Sequence, residues 1–147
     1  MIIVTPFEKL TYRYTMTDCT LSKWWLNHPN IWFGCTSDED IMITDLFGHY
    51  LDDYHNLSKF DRILLFDQIV RHIYRGDEST VAKYHTMALN ISLDLLSDHQ
   101  DLKYLPDERC FILMPLRHTF DVKYLKIVLD RLDLYRRIDN PTTPVNY

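Results

Sequence analysis

The sequence predicts an all-α fold, an antiparallel array of about five to seven helices joined by short connections. Apolar side chains recur at spacings of three and four residues, which is typical of buried helical faces. Residues that cap helices stand before several of these stripes. No strand-like alternation of comparable quality follows residue 36. The two clearest stripes are Val81, Tyr84, Ala88, Ile91 and Leu95, and then Phe120, Tyr124, Val128, Leu132 and Tyr135.

Chain length and composition predict a single helical domain over residues 1–147. The chain has only 3 glycines but 10 tyrosines, and this composition favours long regular elements over a loop-rich scaffold. Residues 1–30 form an N-terminal extension whose structure the pattern leaves open, because a helix-capping order at Thr5 is followed by strand-like alternation. Residues 140–147 are predicted to be an extended tail, since two prolines interrupt them.

Local signals set the helix boundaries in the first half of the chain. A short helix runs from Thr20 and stops before Pro29, because the residue that precedes a proline disfavours helix. Ser37 opens the next helix, whose first turn holds acidic residues where the helix dipole favours them. Ser58 caps the helix after that, and Gly76 ends it.

Similar signals set the later boundaries. Asp77 or Ser79 begins another helix, which carries the first of the two clear stripes. Pro106 stands at the first position of a short helix, and Pro115 is expected to bound it. Thr119 is expected to cap the last helix.

Charge and cysteine content exclude several classes of protein. The formal net charge of −5 gives no basic footprint, so general nucleic-acid binding is not expected, and a local basic patch stays open. No run approaches the ~18 apolar residues that span a membrane, and the N-terminus lacks the pattern of a signal peptide. The three cysteines form no CxxC pair, which predicts free thiols in a reducing compartment. We therefore expect a soluble cytoplasmic protein with no metal site and no cofactor.

Residues 64–76, LLFDQIVRHIYRG, place charges inside an apolar helical stripe. At about 100° per residue, Asp67, Arg71 and Arg75 fall within about 80° of one another, with large apolar side chains on both sides. The narrow polar sector that remains holds Asp61, Gln68 and His72. A helix that is apolar almost all round is usually central in its bundle, so we expect these charges to be buried.

Two interpretations fit these charges. Asp67 and Arg71 stand in the favourable order for a helical ion pair, so they can form part of a network that fixes helix packing. Alternatively, Arg71 and Arg75 line a polar pocket that binds an anion. Arg75 lies at the border of the polar sector, and packing explains it least well.

A second polar cluster lies at Glu108-Arg109 and at His118, just before Thr119. The first turn of a helix that starts there would offer free backbone N–H groups to an anion. His118 is then a candidate acid or base. The alternative is a histidine that lies at the surface or caps a helix.

These motifs, in this order, resemble a family of mostly bacterial proteins known as domain of unknown function 924. The resemblance covers roughly residues 31–121 and implies an all-α fold similar to tetratricopeptide-type helical arrays. It implies no established activity. The matching elements are Trp32-Phe33-Gly34, Leu65, Asp67-Gln68, Arg71, Tyr74-Arg75-Gly76, Ala88-Leu89, Leu105-Pro106, Glu108-Arg109, Phe111, Met114-Pro115-Leu116 and His118.

The chain also departs from the family pattern. His72 stands where the family usually has Asn, and Phe120 stands where it usually has an acid. The stretch between Gly34 and Asp67 is shortened, and the C-terminal motif rich in Arg, Phe and His is absent. The chain therefore resembles a trimmed or divergent member.

Two other features bear on function. Trp24, Trp25, Trp32 and Phe33 form an aromatic cluster that either fills the core or offers an exposed patch to a partner peptide. The scattered histidines follow no metal-binding spacing, and neither a GxSxG elbow nor a Gly-rich phosphate loop occurs.

Three hypotheses about function follow. The leading one is a helical binding module with a polar groove for an anionic small molecule or an acidic peptide. Its residues are Asp67, Gln68, Arg71, Arg75, Glu108, Arg109 and His118. The second is an enzyme, a hydrolase or transferase, with His118 as catalytic acid or base. The third is a structural or oligomeric protein whose charged motif only fixes packing, with Asp67 and Arg71 fully buried; a homo-oligomer stays open under all three.

Overall fold

The computed structural model describes residues 21–34 and 36–141, and within these ranges every regular element is helical. The all-α prediction is therefore confirmed. The helices are α1 (Leu21–Leu26), α2 (Ser37–Phe47), α3 (consecutive segments Lys59–Ile63, Leu64–Ile69 and Val70–Ile73), α4 (Glu78–Ser97), α5 (Pro106–Arg117) and α6 (Val122–Asp139). Short 3-10 turns cover Pro29–Ile31, Gly48–Asp52 and Gln100–Lys103. The predictions at Thr5 and over residues 142–147 lie outside the described ranges.

Spatial contacts divide the chain after Ala88 into two compact units, called here the first and the second unit. The division falls inside α4, which contributes residues to both. That the whole chain is a single domain stays a prediction. No helix in the described part of the chain is both long enough and apolar enough to cross a bilayer.

The core of the first unit surrounds α3. Every residue from Ile63 to Val70 is buried, as expected of a helix at the centre of its bundle. Trp24 and Trp25 of α1 are fully buried, and the Trp24 ring meets Phe47 of α2 edge-on, with 5.0 Å between ring centroids. Two members of the aromatic cluster, Trp24 and Trp25, therefore lie in the core, whereas Phe33 is 82% exposed.

Side-chain caps fix where α2 and α3 begin. The Glu39 backbone N–H donates to the Thr36 hydroxyl at 3.3 Å, and the Thr36 backbone N–H donates to the Glu39 carboxylate at 2.9 Å. This reciprocal capping box starts α2 at Ser37, as predicted. The Asp61 backbone N–H donates to the Ser58 hydroxyl at 3.1 Å, so Ser58 is confirmed as the cap of α3.

The middle of α3 departs from ideal helix geometry. Over Leu64–Ile69 the backbone forms a π-helical turn, the rare form in which an N–H bonds to the carbonyl five residues back. Such a turn holds an extra residue, so it changes the direction of the side chains that follow it. The ideal spacing of about 100° per residue therefore does not hold through this turn, although Asp67 and Arg71 still meet as an i,i+4 pair, as predicted. The helix also ends at Ile73, before Arg75 is reached.

In the second unit α5 packs against α6, and two predicted boundaries are wrong. Pro115 does not end α5 but lies in its last turn, where its missing N–H removes a single backbone donor. Thr119 does not cap α6, because its hydroxyl donates to the Leu116 carbonyl at 2.7 Å. Asp121 caps α6 instead, and its carboxylate accepts from the Lys123 backbone N–H at 2.9 Å. The buried residues of these two helices include Phe111, Ile112, Leu113, Leu116, Val128 and Tyr135.

Candidate functional site

Asp67 is a carboxylate with no exposed surface, in the π turn of α3. Its Oδ2 accepts a hydrogen bond from the side-chain amide of Gln68 at 2.8 Å. Its Oδ1 lies 3.7 Å from Arg71 Nη2, which is an ion pair too long to be a hydrogen bond. A buried charge needs such partners, because an uncompensated one is very costly. The expectation that this helix buries its charges is confirmed for Asp67, but it is wrong for Arg71 and Arg75, whose side chains are 38% and 58% exposed.

Arg71 is anchored but only partly enclosed. Its Nε donates to the backbone carbonyl of Asp67 at 2.8 Å, which orients the guanidinium plane against α3. Its side chain is nevertheless 38% exposed. The hypothesis that the charged motif only fixes packing required a fully buried Arg71, so that requirement is not met.

Asp40 in the first turn of α2 joins two residues near the end of α3. Its Oδ1 accepts from His72 Nδ1 at 2.8 Å and from Arg75 Nη2 at 2.9 Å, and its Oδ2 accepts from Arg75 Nε at 2.6 Å. The two bonds from Arg75 are bidentate, a strong geometry for guanidinium and carboxylate. The His72 ring also meets Trp25 edge-on at 6.0 Å. We call Asp40, His72 and Arg75 the Asp40 cluster.

The polar sector that the sequence assigned to α3 does not face water. Asp61 and Gln68 are each 8% exposed. The Asp61 carboxylate accepts from the Ser22 backbone N–H at 2.9 Å and so satisfies a donor in the first turn of α1. His72 is directed toward Asp40, with 9% of its side chain exposed. Asp61 and His72 therefore connect helices, whereas Gln68 bonds to Asp67 within α3.

Glu108 and Arg109 have partners inside the second unit. The Glu108 carboxylate accepts from the Leu105 backbone N–H at 2.8 Å and so caps α5. Arg109 is 7% exposed and donates through Nε to the Tyr104 carbonyl at 2.8 Å. Its Nη1 donates to both carboxylate oxygens of Asp139, at 2.9 and 3.0 Å. Both residues therefore have structural contacts.

His118, the candidate catalytic residue, follows the last residue of α5. Its backbone N–H donates to the Met114 carbonyl at 2.9 Å, and the residue is half-buried. The cap of α6 is Asp121, three residues further on, so the first turn of α6 does not begin at Thr119 as expected. A catalytic role for His118, and a groove that joins it to Arg71, stay predictions.

A second buried carboxylate, Asp101, organises the second unit. It has no exposed surface and accepts from Arg131, through Nε at 3.0 Å and Nη2 at 2.6 Å. It also accepts a short hydrogen bond from the Tyr135 hydroxyl. Burial, and then this bond to a carboxylate, raise the pKa of Tyr135 well above its ordinary value, so the phenol stays a donor. We call Asp101, Arg131 and Tyr135 the Asp101 cluster.

A partly exposed guanidinium is a group that can recognise an anion, and the Arg71 side chain is partly exposed. The planar donor edge of the Arg71 guanidinium is fixed at Nε, and 38% of the side chain is exposed. Such an edge matches the oxygen spacing of carboxylate and phosphate. Among the residues described, no group of three or more His, Cys, Asp or Glu side chains is arranged to hold a metal ion.

A known protein family matches most of the chain. Residues 21–142 match the family described as "Bacterial protein of unknown function (DUF924)". The chain belongs to this family. No curated protein and no solved structure matches it. Membership brings no assigned activity, because the family itself is described as one of unknown function.

The DUF924 match is wider than the motif resemblance over residues 31–121. It takes in α1 with its two buried tryptophans and the whole of α6. The Asp40 cluster and the Asp101 cluster both lie inside the matched region, as does Arg71. The candidate anion site is therefore carried by the DUF924 portion of the chain.

Sequence reasoning missed the roles of Asp40 and Asp101 in this DUF924 chain. Asp40 lies in the first turn of a helix, where the helix dipole alone already accounts for an acid. Asp101 lies in a polar connection between helices, where an acid is ordinary. Their partners stand 30 to 35 residues away, so no local pattern links them. One signal was present in the sequence. Arg131 interrupts the apolar stripe between Val128 and Tyr135, as a buried charge that needed an acid.

The reactivity of the Cys110 thiol in this DUF924 chain is expected to depend on pH. Partial burial, and then the negative charge of Asp107, raise the pKa of the Cys110 thiol above its ordinary value. Only the thiolate reacts with iodoacetamide, so in a background lacking Cys19 and Cys35 the alkylation rate should rise at a higher pH than in an unstructured cysteine peptide. Mass spectrometry over about pH 7 to 11 measures both curves. Coincident curves would refute this prediction, and Asp107→Asn should move the protein curve to lower pH.

Proposed function

We propose that the protein is a helical binding module that holds an anionic group, a carboxylate or phosphate of a small molecule or acidic peptide, on Arg71. The state of Arg71 is the observation that carries the proposal. Its Nε is fixed on the Asp67 backbone at 2.8 Å, its contact with the Asp67 carboxylate is 3.7 Å, and its side chain is 38% exposed. A guanidinium that is already oriented loses less conformational entropy when it binds a ligand.

Two other arginines show what a purely structural arginine looks like in this chain. The side chains of Arg109 and Arg131 are 8% and 12% exposed. Both make hydrogen bonds of 3.0 Å or less to the carboxylates of Asp139 and Asp101. Arg71 differs from them in its exposure, which is 38% and supports a role in binding.

Arg75 is the second donor in the proposal, with a smaller contribution. Its side chain is 58% exposed, but its Nε and Nη2 are directed to Asp40. A ligand anion at Arg75 therefore competes with a carboxylate already bound in bidentate geometry. We expect Arg71→Ala to weaken binding more than Arg75→Ala does.

Calorimetric titration of the full chain tests the proposal, with inorganic phosphate, succinate and an acidic tripeptide as probes. We expect saturable binding of at least one probe. When the free ligand concentration reaches about 100 times the Kd, the free energy of unfolding of the protein should rise by about 2.7 kcal/mol. Arg71→Ala should raise that Kd about tenfold to a hundredfold, because hydrogen bonds to a charged group are lost. Arg71→Lys should restore only part of the affinity, since an ammonium lacks the planar fork.

Arg117→Ala is the matched control, because Arg117 is an exposed arginine of α5 outside the proposed site. It should leave the Kd unchanged. The proposal fails if no probe binds saturably, or if Arg71→Ala and Arg117→Ala bind the probe equally well.

A further inference from the structure

The Asp40 carboxylate of the first unit bonds to two side chains, of which only one has a fixed charge. Its Oδ1 accepts from Arg75 Nη2 at 2.9 Å and also from His72 Nδ1 at 2.8 Å. An ionised carboxylate only accepts hydrogen bonds, so Nδ1 of His72 carries a hydrogen and donates. A further proton on the His72 ring then goes to Nε2 and makes the ring a cation.

The charges around Arg71 balance only while His72 is neutral. Asp67 is paired with Arg71. Asp40 is paired with Arg75, so two acids balance two arginines. A proton on His72 leaves one positive charge in excess. Because Arg71 and His72 are consecutive residues of α3, that charge lies on the order of 10 Å from an anion held at Arg71, a distance over which partly buried charges still interact.

We propose that an anion binds at Arg71 together with a proton on His72, so that the affinity for anions rises as the pH falls. This inference rests on the anion site proposed at Arg71. The proton adds a positive charge near the anion. It also makes the bond from His72 to Asp40 charge-assisted, and this stronger bond competes with Arg75 for the shared Oδ1. Arg75, whose side chain is 58% exposed, then donates to the anion as well.

The helices packed against His72 present an acid and an aromatic ring to it. Helix α2 presents Asp40, whereas the neighbouring Glu39 carboxylate belongs to the capping box at the start of α2. Helix α1 presents the uncharged Trp25 ring, edge-on with 6.0 Å between ring centroids. The remaining acidic, basic and histidine residues of α1, of α2 and of the turn Gly48–Asp52 are exposed, and they are Lys23, Asp38, Asp45, His49 and Asp52. A proton on His72 therefore acts directly on Asp40.

Calorimetric titration of the full chain with sulfate at about pH 5.5 and about pH 8 tests the coupling, because histidines change charge between these values. Sulfate has the tetrahedral shape of phosphate and keeps one charge state over this range, so any pH dependence arises in the protein. We expect the Kd to be smaller at the lower pH by about tenfold. Arg71→Ala should weaken sulfate binding at both pH values.

The outcomes separate this inference from the proposed function. Equal Kd values at the two pH values would overturn the coupling to a proton and leave the anion site at Arg71 intact. Sulfate binding that Arg71→Ala does not weaken would overturn both. Absence of sulfate binding at both pH values would overturn the coupling, whether or not phosphate or succinate binds.

His72→Asn tests whether His72 is the group that takes up the proton. The amide nitrogen of asparagine stands close to the place of Nδ1, so it can still donate to Asp40, but it cannot be protonated in this range. The Kd for sulfate should then be the same at both pH values and equal to the native value at the higher pH. His49→Asn is the matched control, since His49 is an exposed histidine of the first unit. It should keep the native pH dependence, and the same dependence in His72→Asn would overturn the inference.

Proton uptake by the native chain is a second measure, which needs no variant. Titration with sulfate in two buffers of different ionisation enthalpy, in steps over about pH 5.5 to 8, gives the number of protons bound with each anion. We expect an uptake that reaches a maximum of at most about one proton per sulfate within this range. Zero uptake at every pH, or release of protons, would overturn the inference.

Discussion

Replacing Asp101 with alanine is expected to lower the free energy of unfolding of the second unit by about 3–5 kcal/mol. The Asp101 carboxylate has no exposed surface and accepts hydrogen bonds from Arg131 and Tyr135. Its removal leaves a guanidinium that is only 12% exposed without its counter-charge. Hydrogen exchange of the α5 and α6 amides measures this loss in the unit concerned.

Two companion variants identify the cause of that loss. Asp98→Ala removes an exposed acid three residues earlier, so it should change stability by less than about 0.5 kcal/mol. Asp101→Ala/Arg131→Met removes both charges, so it should lose less than Asp101→Ala alone. A loss below about 1 kcal/mol for Asp101→Ala would show that the Asp101 cluster does not hold the second unit together.

Replacing Trp24 with alanine is the second large effect, with an expected loss of about 3–5 kcal/mol in the first unit. Trp24 is fully buried, stacks on His28 with 4.3 Å between ring centroids and meets Phe47 edge-on. Alanine leaves a cavity between α1 and α2. Urea unfolding followed by the fluorescence of Trp25 and Trp32 measures the change, because both of these reporters belong to the first unit.

Trp24→Phe separates packing from polarity at this position. The Trp24 indole N–H is buried, and it has no hydrogen-bond partner among the residues described. Phenylalanine keeps a ring and removes that unsatisfied donor, so Trp24→Phe should lose clearly less than Trp24→Ala. Phe33→Ala, at a site 82% exposed, should change stability by less than about 0.5 kcal/mol. Equal losses in Trp24→Phe and Trp24→Ala would contradict this account of the core.

Local chemistry explains why much of the fold was predictable. Ser37 as the start of α2 and Ser58 as the cap of α3 depend on bonds that reach three residues, and sequence spacing records such bonds. The π turn over Leu64–Ile69 was not predictable, because a one-residue change of hydrogen-bond register leaves no cap or proline in the sequence. The predicted cap at Thr119 was wrong because two residues that can cap a helix stand two positions apart. Thr119 offers a hydroxyl and Asp121 a carboxylate, and the sequence does not decide between them.

The site was predictable only in part, for a related reason. A buried charge at Asp67 follows from its place in an apolar stripe. The bonds that decide the roles of Arg75 and Arg131 reach acids 30 or more residues away, at Asp40 and Asp101. The apolar stripe around Arg131 indicated that this arginine needs an acid, but a single sequence does not identify which acid lies beside it. Packing between helices, and not local pattern, determined which arginines became structural.

The most direct test of an anion site at Arg71 is the Nε–H NMR signals of the arginine side chains, followed while the full chain is titrated separately with inorganic phosphate and with succinate. We predict that the Arg71 signal shifts saturably with at least one anion and that the Arg75 signal shifts less. The signals of Arg109 and Arg131 should stay in place, because these side chains are buried on carboxylates. The account is contradicted if both anions leave the Arg71 signal unmoved, or move it no more than the signal of exposed Arg117.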